Sequence, residues 1–555
     1  MDEENSWLDD ISHEVLSAYY DEKTFRRTSQ NLEIDDVQQD LVGKLCVKDI
    51  IATSKHEWIR EILGKLTQVP DEDATQAGEL PGVRVDQRVL EYCVRQGLVE
   101  RGRGTYKARC GMFSLEKANG KGRIIFDCRP ANKKLRTWGT FELFTVDDIL
   151  TAWERSCCWK QVHVYTLDYR HHFYQFPIGT DLAKYMAIAG DNGYFVPKVL
   201  AMGFKGAPRV GQGGTWAVVL HRRDGAPHLG VDPNDVREMP RYLTLMDGGE
   251  AVGYIFVLLD GVLVLSTSAS LRNQWKRRIE GNSKRFHCII KEAETKSDAV
   301  TFAGIEFTRG DRGSPMVRPK RRGGSPVTTS STHRDVASAV GRVIWTWRVR
   351  RRNMLYEEAF MRIYSKLKKR WDERANLDDE MLKVVNEAAK EDLSFTTLER
   401  IDEKRWAEEN VRYVVTDATP TQTGWGEMKD GIFISTAYEE EERKEAQVYM
   451  EMLAVVKAAT AVGGKDKMLI IATDAEVVRR CIGKRYSKSQ RIRQLLRELF
   501  VVAPNIRCVR VEGKMNGADE ISRGAQIDRA KERHSWTVVK RARGEATSED
   551  DEDGA

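Results

Sequence analysis

The sequence predicts a multidomain chain that combines α+β and α/β parts. Three observations carry this. The 555 residues exceed what one hydrophobic core fills, and three or four domains is the prior for that length. Apolar strands that end on a carboxylate occur in two distant stretches, Val162–Asp168 and Met468–Asp474. A strongly basic block separates them: residues 315–372 hold 15 Lys/Arg against 4 acids.

Bulk properties narrow the class. Hydrophobic residues make up 41% and charged residues 31%, as in globular chains. No apolar run approaches the ~20 residues of a membrane span, so no membrane partner is expected. The longest, Tyr254 to Leu265, is broken by Asp260-Gly261. The acidic start, Met1-Asp-Glu-Glu-Asn5, lacks the parts of a signal peptide. Nine cysteines show no Cys-x-x-Cys spacing, so an intracellular setting, nuclear or cytoplasmic, is expected. The net charge of +5 hides segregation, because residues 1–40 hold 12 acids against 3 bases and Glu545–Asp553 is acidic again. The basic block between two globular regions suggests a track for a polyanion; a solvated helical face is the alternative.

The elements follow in order. Residues 1–85 form an acidic N-terminal extension with no assignable chemistry. From Asp86 to Gly97, Val89, Leu90, Cys93, Val94 and Leu98 recur at helical spacing. Strands Met112–Leu115 and Arg123–Phe126 flank the turn Asn119-Gly120, a hairpin signal. Tyr254–Asp260 and Val262–Ser266 form a hairpin that pivots on Asp260-Gly261. Thr301–Phe307 reads as one short strand. Thr332 to Leu393 is helical and basic, with Trp345, Trp347 and Trp371 as core candidates. A second α/β part starts near Tyr413, and the acidic tail from Gly544 is expected to be disordered. Domain limits fall at 1–85, 86–310, 311–405, 406–530 and 531–555.

The chemistry lies in carboxylates. A carboxylate at the end of a buried strand is costly unless it holds a metal or a partner. Asp168 and Asp260 make one such pair. Two Mg²⁺ ions need at least two carboxylates between them, and hard oxygen donors suit them. Lys117 and Arg123, two cations flanking a hairpin turn, suit a mobile polyanion. Gly203 and Gly206 permit close backbone approach. Asp417 ends a strand, Glu451 sits mid-helix, Asp474 ends a second strand, and Asp519 comes late beside Asn516. His171-His172 could suggest a metal, but their place in the motif around Asp168 explains them.

These motifs carry a resemblance. Asp168-x-x-x-x-Phe173-x-Gln175-x-Pro177 resembles the first metal-binding motif of reverse transcriptases. Phe256–Val264 resembles their Tyr-x-Asp-Asp hairpin, with Leu258 where Tyr is usual and Gly261 where the second Asp is usual. Lys117-x-x-Gly120-x-x-Arg123, continuing to Asp127, Arg129 and Asn132, looks like the fingers motif. Leu200 to Gln212 resembles the motif that lines the nucleotide pocket. Lys296-Ser297 and Phe302–Phe307 resemble the motifs that close the palm. The Asp417, Glu451, Asp474 and Asp519 order resembles the ribonuclease H domains of retroelements, most like DIRS-type tyrosine-recombinase elements or a domesticated derivative.

The resemblance implies a right-hand polymerase with palm, fingers and thumb, followed by a ribonuclease H-like α/β domain. It implies an RNA-directed DNA polymerase with ribonuclease H activity, using two Mg²⁺ per active site. Asp168, Asp260, Asp417, Glu451, Asp474 and Asp519 would hold metals. Lys117, Arg123, Phe173, Gln175, Met202 and Gly203 would meet the nucleotide, and the Phe173 ring would favour dNTPs. Arg348, Arg350, Arg351, Arg352, Lys366, Lys368, Lys369 and Arg370 would meet a template–primer of RNA and DNA. Other retroelement or ribonucleoprotein subunits are compatible partners. Two departures matter. Gly261 removes a charge from the polymerase site, and residues 483–518 contain no His, which many ribonucleases H place before the last Asp. A pseudo-polymerase acting as an RNA-binding scaffold is therefore the alternative.

Overall fold

The computed structural model describes residues 33–543, excluding 35, 73–83, 117–119, 137, 224, 232–235, 321–325, 352–372 other than Ile363, 390–393, 399–409, 428–430, 441, 443–445, 465–466, 486, 488 and 527. Its elements mix helices with four sheets.

Among the described residues, two short α-helices come first, α1 (Val47–Thr53) and α2 (Glu57–Gly64). Their apolar residues, with flanking ones from Val37 to Leu66, join the largest core cluster. Part of the unassigned N-terminal stretch thus belongs to the same core as the segments after it. Helix α3 (Gln87–Arg95) begins at Asp86, whose carboxylate accepts the Val89 amide.

The strands run β1 (Val99–Arg101), β2 (Arg109–Glu116), β3 (Gly122–Asp127), β4 (His163–Tyr169), β5 (Ala187–Gly190) and β6 (Gly193–Pro197). Helix α4 (Val146–Ser156) lies before β4 and the one-turn α5 (His172–Gln175) after it. Helix α6 (Ala207–Leu220) then leads to β7 (Tyr242–Asp247), β8 (Glu250–Leu258) and β9 (Gly261–Ser266). Helix α7 (Ala269–Arg285), β10 (Ile290–Ser297), β11 (Ala299–Phe302), β12 (Ile305–Arg309) and β13 (Pro315–Pro319) follow. The first sheet has the order β1-β6-β5-β2-β3, and the second β10-β4-β9-β8-β7. Strands β4, β8 and β9 are buried on both faces, which is why they read as continuous apolar runs. Strand β10 is a charged edge, Lys291-Glu-Ala-Glu-Thr-Lys296, and carries no such signature.

Thr301–Phe307 is a hairpin rather than a single strand. Ala303 and Gly304 adopt φ of 49° and 77°, so the chain reverses between β11 and β12. Helix α8 (His333–Val349) starts at a capping box of Thr332 and Asp335. Helix α9 (Asp379–Ala389) packs on it around Trp347 and Val385. Strand β14 (Thr396–Thr397) closes a third sheet, β11-β12-β13-β14.

The C-terminal part contains β15 (Val411–Ala418), β16 (Gln422–Glu427), β17 (Ile432–Ala437), α10 (Gln447–Val462), β18 (Met468–Thr473), α11 (Glu476–Lys484), α12 (Gln490–Val502), β19 (Ile506–Arg510), α13 (Ala518–Ser522) and α14 (Arg529–Arg543). Its sheet is β17-β16-β15-β18-β19, with β15, β18 and β19 parallel. Helices α10 and α12 share one core cluster; α14, through Val539, shares another that includes Val411 and Ile470. Among the described residues, no helix is long and apolar enough to cross a membrane.

Candidate active sites

The first carboxylate pair lies where β4 meets the β8–β9 turn. Asp168 stands opposite Gly261 in the β4–β9 ladder, and the Tyr169 amide donates to the Asp260 carbonyl at 2.9 Å. The turn needs Leu259 at φ 53°. Gln212 of α6 holds that conformation. Its Nε2 donates to the Val257 carbonyl at 2.9 Å, and its Oε1 accepts the Leu259 amide at 2.8 Å. Thr215 Oγ1 donates to the Leu259 carbonyl at 2.5 Å.

Burial first, and the charge of Asp168 second, push the Asp260 carboxyl up to about 6. Lys291 and the exposed Arg123 act on it in the opposite direction, which places both cations near the pair. Lys291 Nζ lies 2.8 Å from Asp168 Oδ2. Sequence reasoning missed Lys291, because β10 lacks the alternation that marks a strand.

The residues expected at the nucleotide divide into several roles. Arg123 is exposed on β3, and its charge acts on Asp260; Lys117 lies outside the described residues. Phe173 is half-buried on α5 against Gly211, where a Cβ would come within 2.8 Å of its ring. Gln175 is fully buried, its Nε2 donates to the Arg170 and Ile289 carbonyls at 2.6 and 3.1 Å, and its Oε1 accepts the Ile289 amide at 2.7 Å. With its amide engaged by backbone, Gln175 clamps α5 to the start of β10. Met202 packs with Phe113 and Ile125. Gly203, at φ 116°, lets the chain cross β3, since a Cβ there would lie 2.1 Å from the Phe126 carbonyl oxygen. His171 bonds to the Asp36 carbonyl, and His172 is buried, with burial pushing its pKa down to about 3.

The second carboxylate set converges more tightly. Strands β15 and β18 are parallel, with Val415 opposite Ala472, so Asp417 and Asp474 emerge at the same end of the sheet. Helix α10 brings Glu451 against them. Ligand atoms of Asp417, Glu451 and Asp474 all lie within 4.8 Å of one another. Burial, reinforced by mutual repulsion, pushes Asp417 up to about 6 and Glu451 up to about 8, and raises Asp474.

Neighbours orient the three carboxylates. Ser522 Oγ donates to Asp417 Oδ2. Gln447 Nε2 donates to Glu451 Oε1 at 3.0 Å, and Asn516 Nδ2 to Asp474 Oδ1 at 3.4 Å. Glu451 Oε2 is buried with no hydrogen-bond partner. A buried orphan oxygen among three raised carboxylates is the donor set a hard divalent cation satisfies, and Mg²⁺ fits it. Asp519, expected as the fourth member, stands outside the trio. Arg523 reaches it at 2.8 Å and Lys531 of α14 at 3.7 Å.

The basic stretch is only partly described; Arg352, Lys366, Lys368, Lys369, Arg370 and Trp371 lie outside the described residues. Arg348 lies in the last turn of α8, and Arg350 Nη2 donates to the Ser394 carbonyl at 3.3 Å. Arg351, expected at the template–primer, turns inward. Its side chain is 12% exposed and pairs with Asp147 and Glu154 of α4 at 3.0 Å each. Trp347 is buried, and Trp345 donates to the Gly304 carbonyl at 3.3 Å, so both are structural.

No family model and no curated protein matches the chain. Solved structures of foamy viral protease-reverse transcriptase align with 87% of it. The form called dRH, in complex with double-stranded DNA, matches at 16% identity and TM-score 0.42, over 83% of its own chain. The complex with RNA/DNA hybrid matches at 17% identity and TM-score 0.43, over 64% of its own chain. A further complex with double-stranded DNA matches at 16% identity and TM-score 0.40, over 99% of its own chain. These scores are too low to carry a fold or an activity across to this chain.

Proposed function

We propose that this protein is an RNA-directed DNA polymerase with ribonuclease H activity, of retroelement origin. The observation that carries the reading is the Asp417, Glu451 and Asp474 trio, with Asp417 buried and the other two half-buried, all raised and converging within 4.8 Å. Such a trio is destabilising in itself and is maintained for a cation. The motifs quoted above supply the rest, including the closeness to tyrosine-recombinase elements.

Asp417, Glu451 and Asp474 would hold Mg²⁺, which when bound activates water and stabilises charge on the scissile phosphate. The chain's own part is orientation. Ser522 fixes Asp417, Gln447 fixes Glu451, and Asn516 fixes Asp474. Arg523 and Lys531 hold Asp519 at the rim, where it can join when substrate phosphates compete for those cations. At the other site, Asp168 and Asp260 would hold Mg²⁺, Arg123 would grip the triphosphate, and Phe173 would exclude a 2′-hydroxyl.

The test uses a labelled RNA strand paired with DNA, in Mg²⁺. Cleavage abolished by Asp474→Asn, together with primer extension abolished by Asp168→Asn alone, is the expected pattern. Neither activity in cleanly folded protein that binds RNA tightly sinks the reading. A scaffold that keeps only nuclease activity is the second reading, favoured by Gly261 and by the ammonium against Asp168.

A further inference from the structure

We infer that Lys291 is a built-in counter-ion that occupies the place of a divalent metal at the Asp168–Asp260 pair. It offsets part of that site's negative charge until a metal displaces it. The inference rests on the reading of this pair as a metal site.

The backbone is shaped for this contact. In the β10–β4 ladder Ile290 faces Tyr169 and Glu292 faces Asp168, with a register shift between Ile290 and Glu292. Lys291 is the extra residue of that bulge. A bulge re-aims one side chain while the ladder continues, and bulges are enriched beside functional sites. Here the re-aimed side chain ends 2.8 Å from Asp168 Oδ2 and 3.6 Å from Glu292 Oε1. Its charge also acts on Asp260. One ammonium thus serves three carboxylates.

The bulge is anchored on its other side. Gln175 binds both the amide and the carbonyl of Ile289, and the Arg170 amide donates to the same carbonyl at 3.0 Å. These bonds fix where β10 begins, so Gln175 is a positioning residue for Lys291. The charge count completes the case. With Gly261 in the adjacent ladder position, Asp168 and Asp260 supply two negative charges and Lys291 returns one. A divalent cation entering there must break an ion pair and meet a like charge a few ångströms away.

Binding of Mn²⁺ to the full chain, followed by the electron paramagnetic resonance of free Mn²⁺, tests this without relying on activity. Asp474→Asn is carried throughout to suppress the second site, and the component lost on adding Asp168→Asn defines the first. Lys291→Gln is expected to tighten that component about fivefold to tenfold. Lys291→Arg, which keeps a cation, is expected to leave it weak. Lys291 is half exposed, so neither variant threatens the fold. An Asp168-dependent component that is unchanged or weaker in Lys291→Gln overturns the counter-ion role. If no Asp168-dependent binding appears in any variant, the metal reading of the pair falls with it.

Discussion

Gln212 Oε1 accepts a hydrogen bond from the Leu259 amide at 2.8 Å, while Nε2 of the same side chain donates to the Val257 carbonyl at 2.9 Å. One buried amide therefore satisfies two backbone groups of the turn that presents Asp260. The Leu259 conformation, at φ 53°, costs about 1 kcal/mol for a non-glycine residue and persists because these bonds over-determine it.

Gln212→Leu should accordingly damage the site through its scaffold. It takes the side-chain partner from a half-buried amide and a buried carbonyl, at a cost of about 2–4 kcal/mol. Urea denaturation should report that loss. Primer extension should fall with it, while cleavage of RNA in a hybrid should not. Equal loss of both activities would mean general unfolding instead.

The trio predicts a pH signature. The folded-state values of Asp417, about 6, and Glu451, about 8, lie above their ordinary values of 3.8 and 4.5. Each group is therefore held partly protonated by the fold. The stability this represents is complete below about pH 4 and is lost as pH rises through the folded values. In EDTA, Tm should fall from about pH 5 to about pH 8.5. Mg²⁺ should restore it, and more at the higher pH, because the ligands must first lose their protons. A Mg²⁺ shift independent of pH would contradict this. In Asp474→Asn the shift should largely disappear.

Arg351 predicts the opposite of a nucleic-acid contact. Its guanidinium joins the end of α8 to Asp147, Thr151 and Glu154 of α4. Removing it takes a buried cation away from Glu154, whose side chain is only 5% exposed. Arg351→Met should cost about 3 kcal/mol of stability. The salt dependence of RNA binding should keep its slope, since no phosphate contact is lost. A slope reduced by about one unit, with unchanged stability, would restore Arg351 to the nucleic-acid surface.

How much of this could be read from the sequence depended on what each residue's neighbours are. Asp168, Asp260, Asp417 and Asp474 were legible because apolar strands deliver them and an uncompensated carboxylate there is costly. Glu451 was legible from its place amid an apolar helix. Lys291 was not, because an edge strand of alternating charges looks like a loop. Gln175 sat in the right motif, but its partner, the Ile289 backbone, lies 114 residues away, and no local pattern encodes that bond. Arg351 looked like its basic neighbours, since the sequence does not show which guanidinium turns inward. Asp519 was found as a carboxylate, but its two cations were not, because Lys531 arrives on a separate helix.

Gly261 makes the sharpest prediction. A Cβ there would sit 3.3 Å from Cε2 of Phe302 and 3.5 Å from the Leu258 carbonyl oxygen. The position is not one of positive φ, so a side chain needs no backbone strain, only a small retreat of one ring edge that already packs against Phe144. Gly261→Asp should therefore fold, at a cost of about 1 kcal/mol. It adds a third carboxylate beside Asp168 and Asp260, which strengthens the attraction for a divalent ion by more than the Phe302 adjustment costs. Primer extension should rise in the variant, and rise further when Lys291→Gln is combined with it, since both changes move the local charge in the same direction. A folded double variant with unchanged metal affinity and no extension would mean that the pair no longer serves a polymerase, and that the second site alone carries the protein's chemistry.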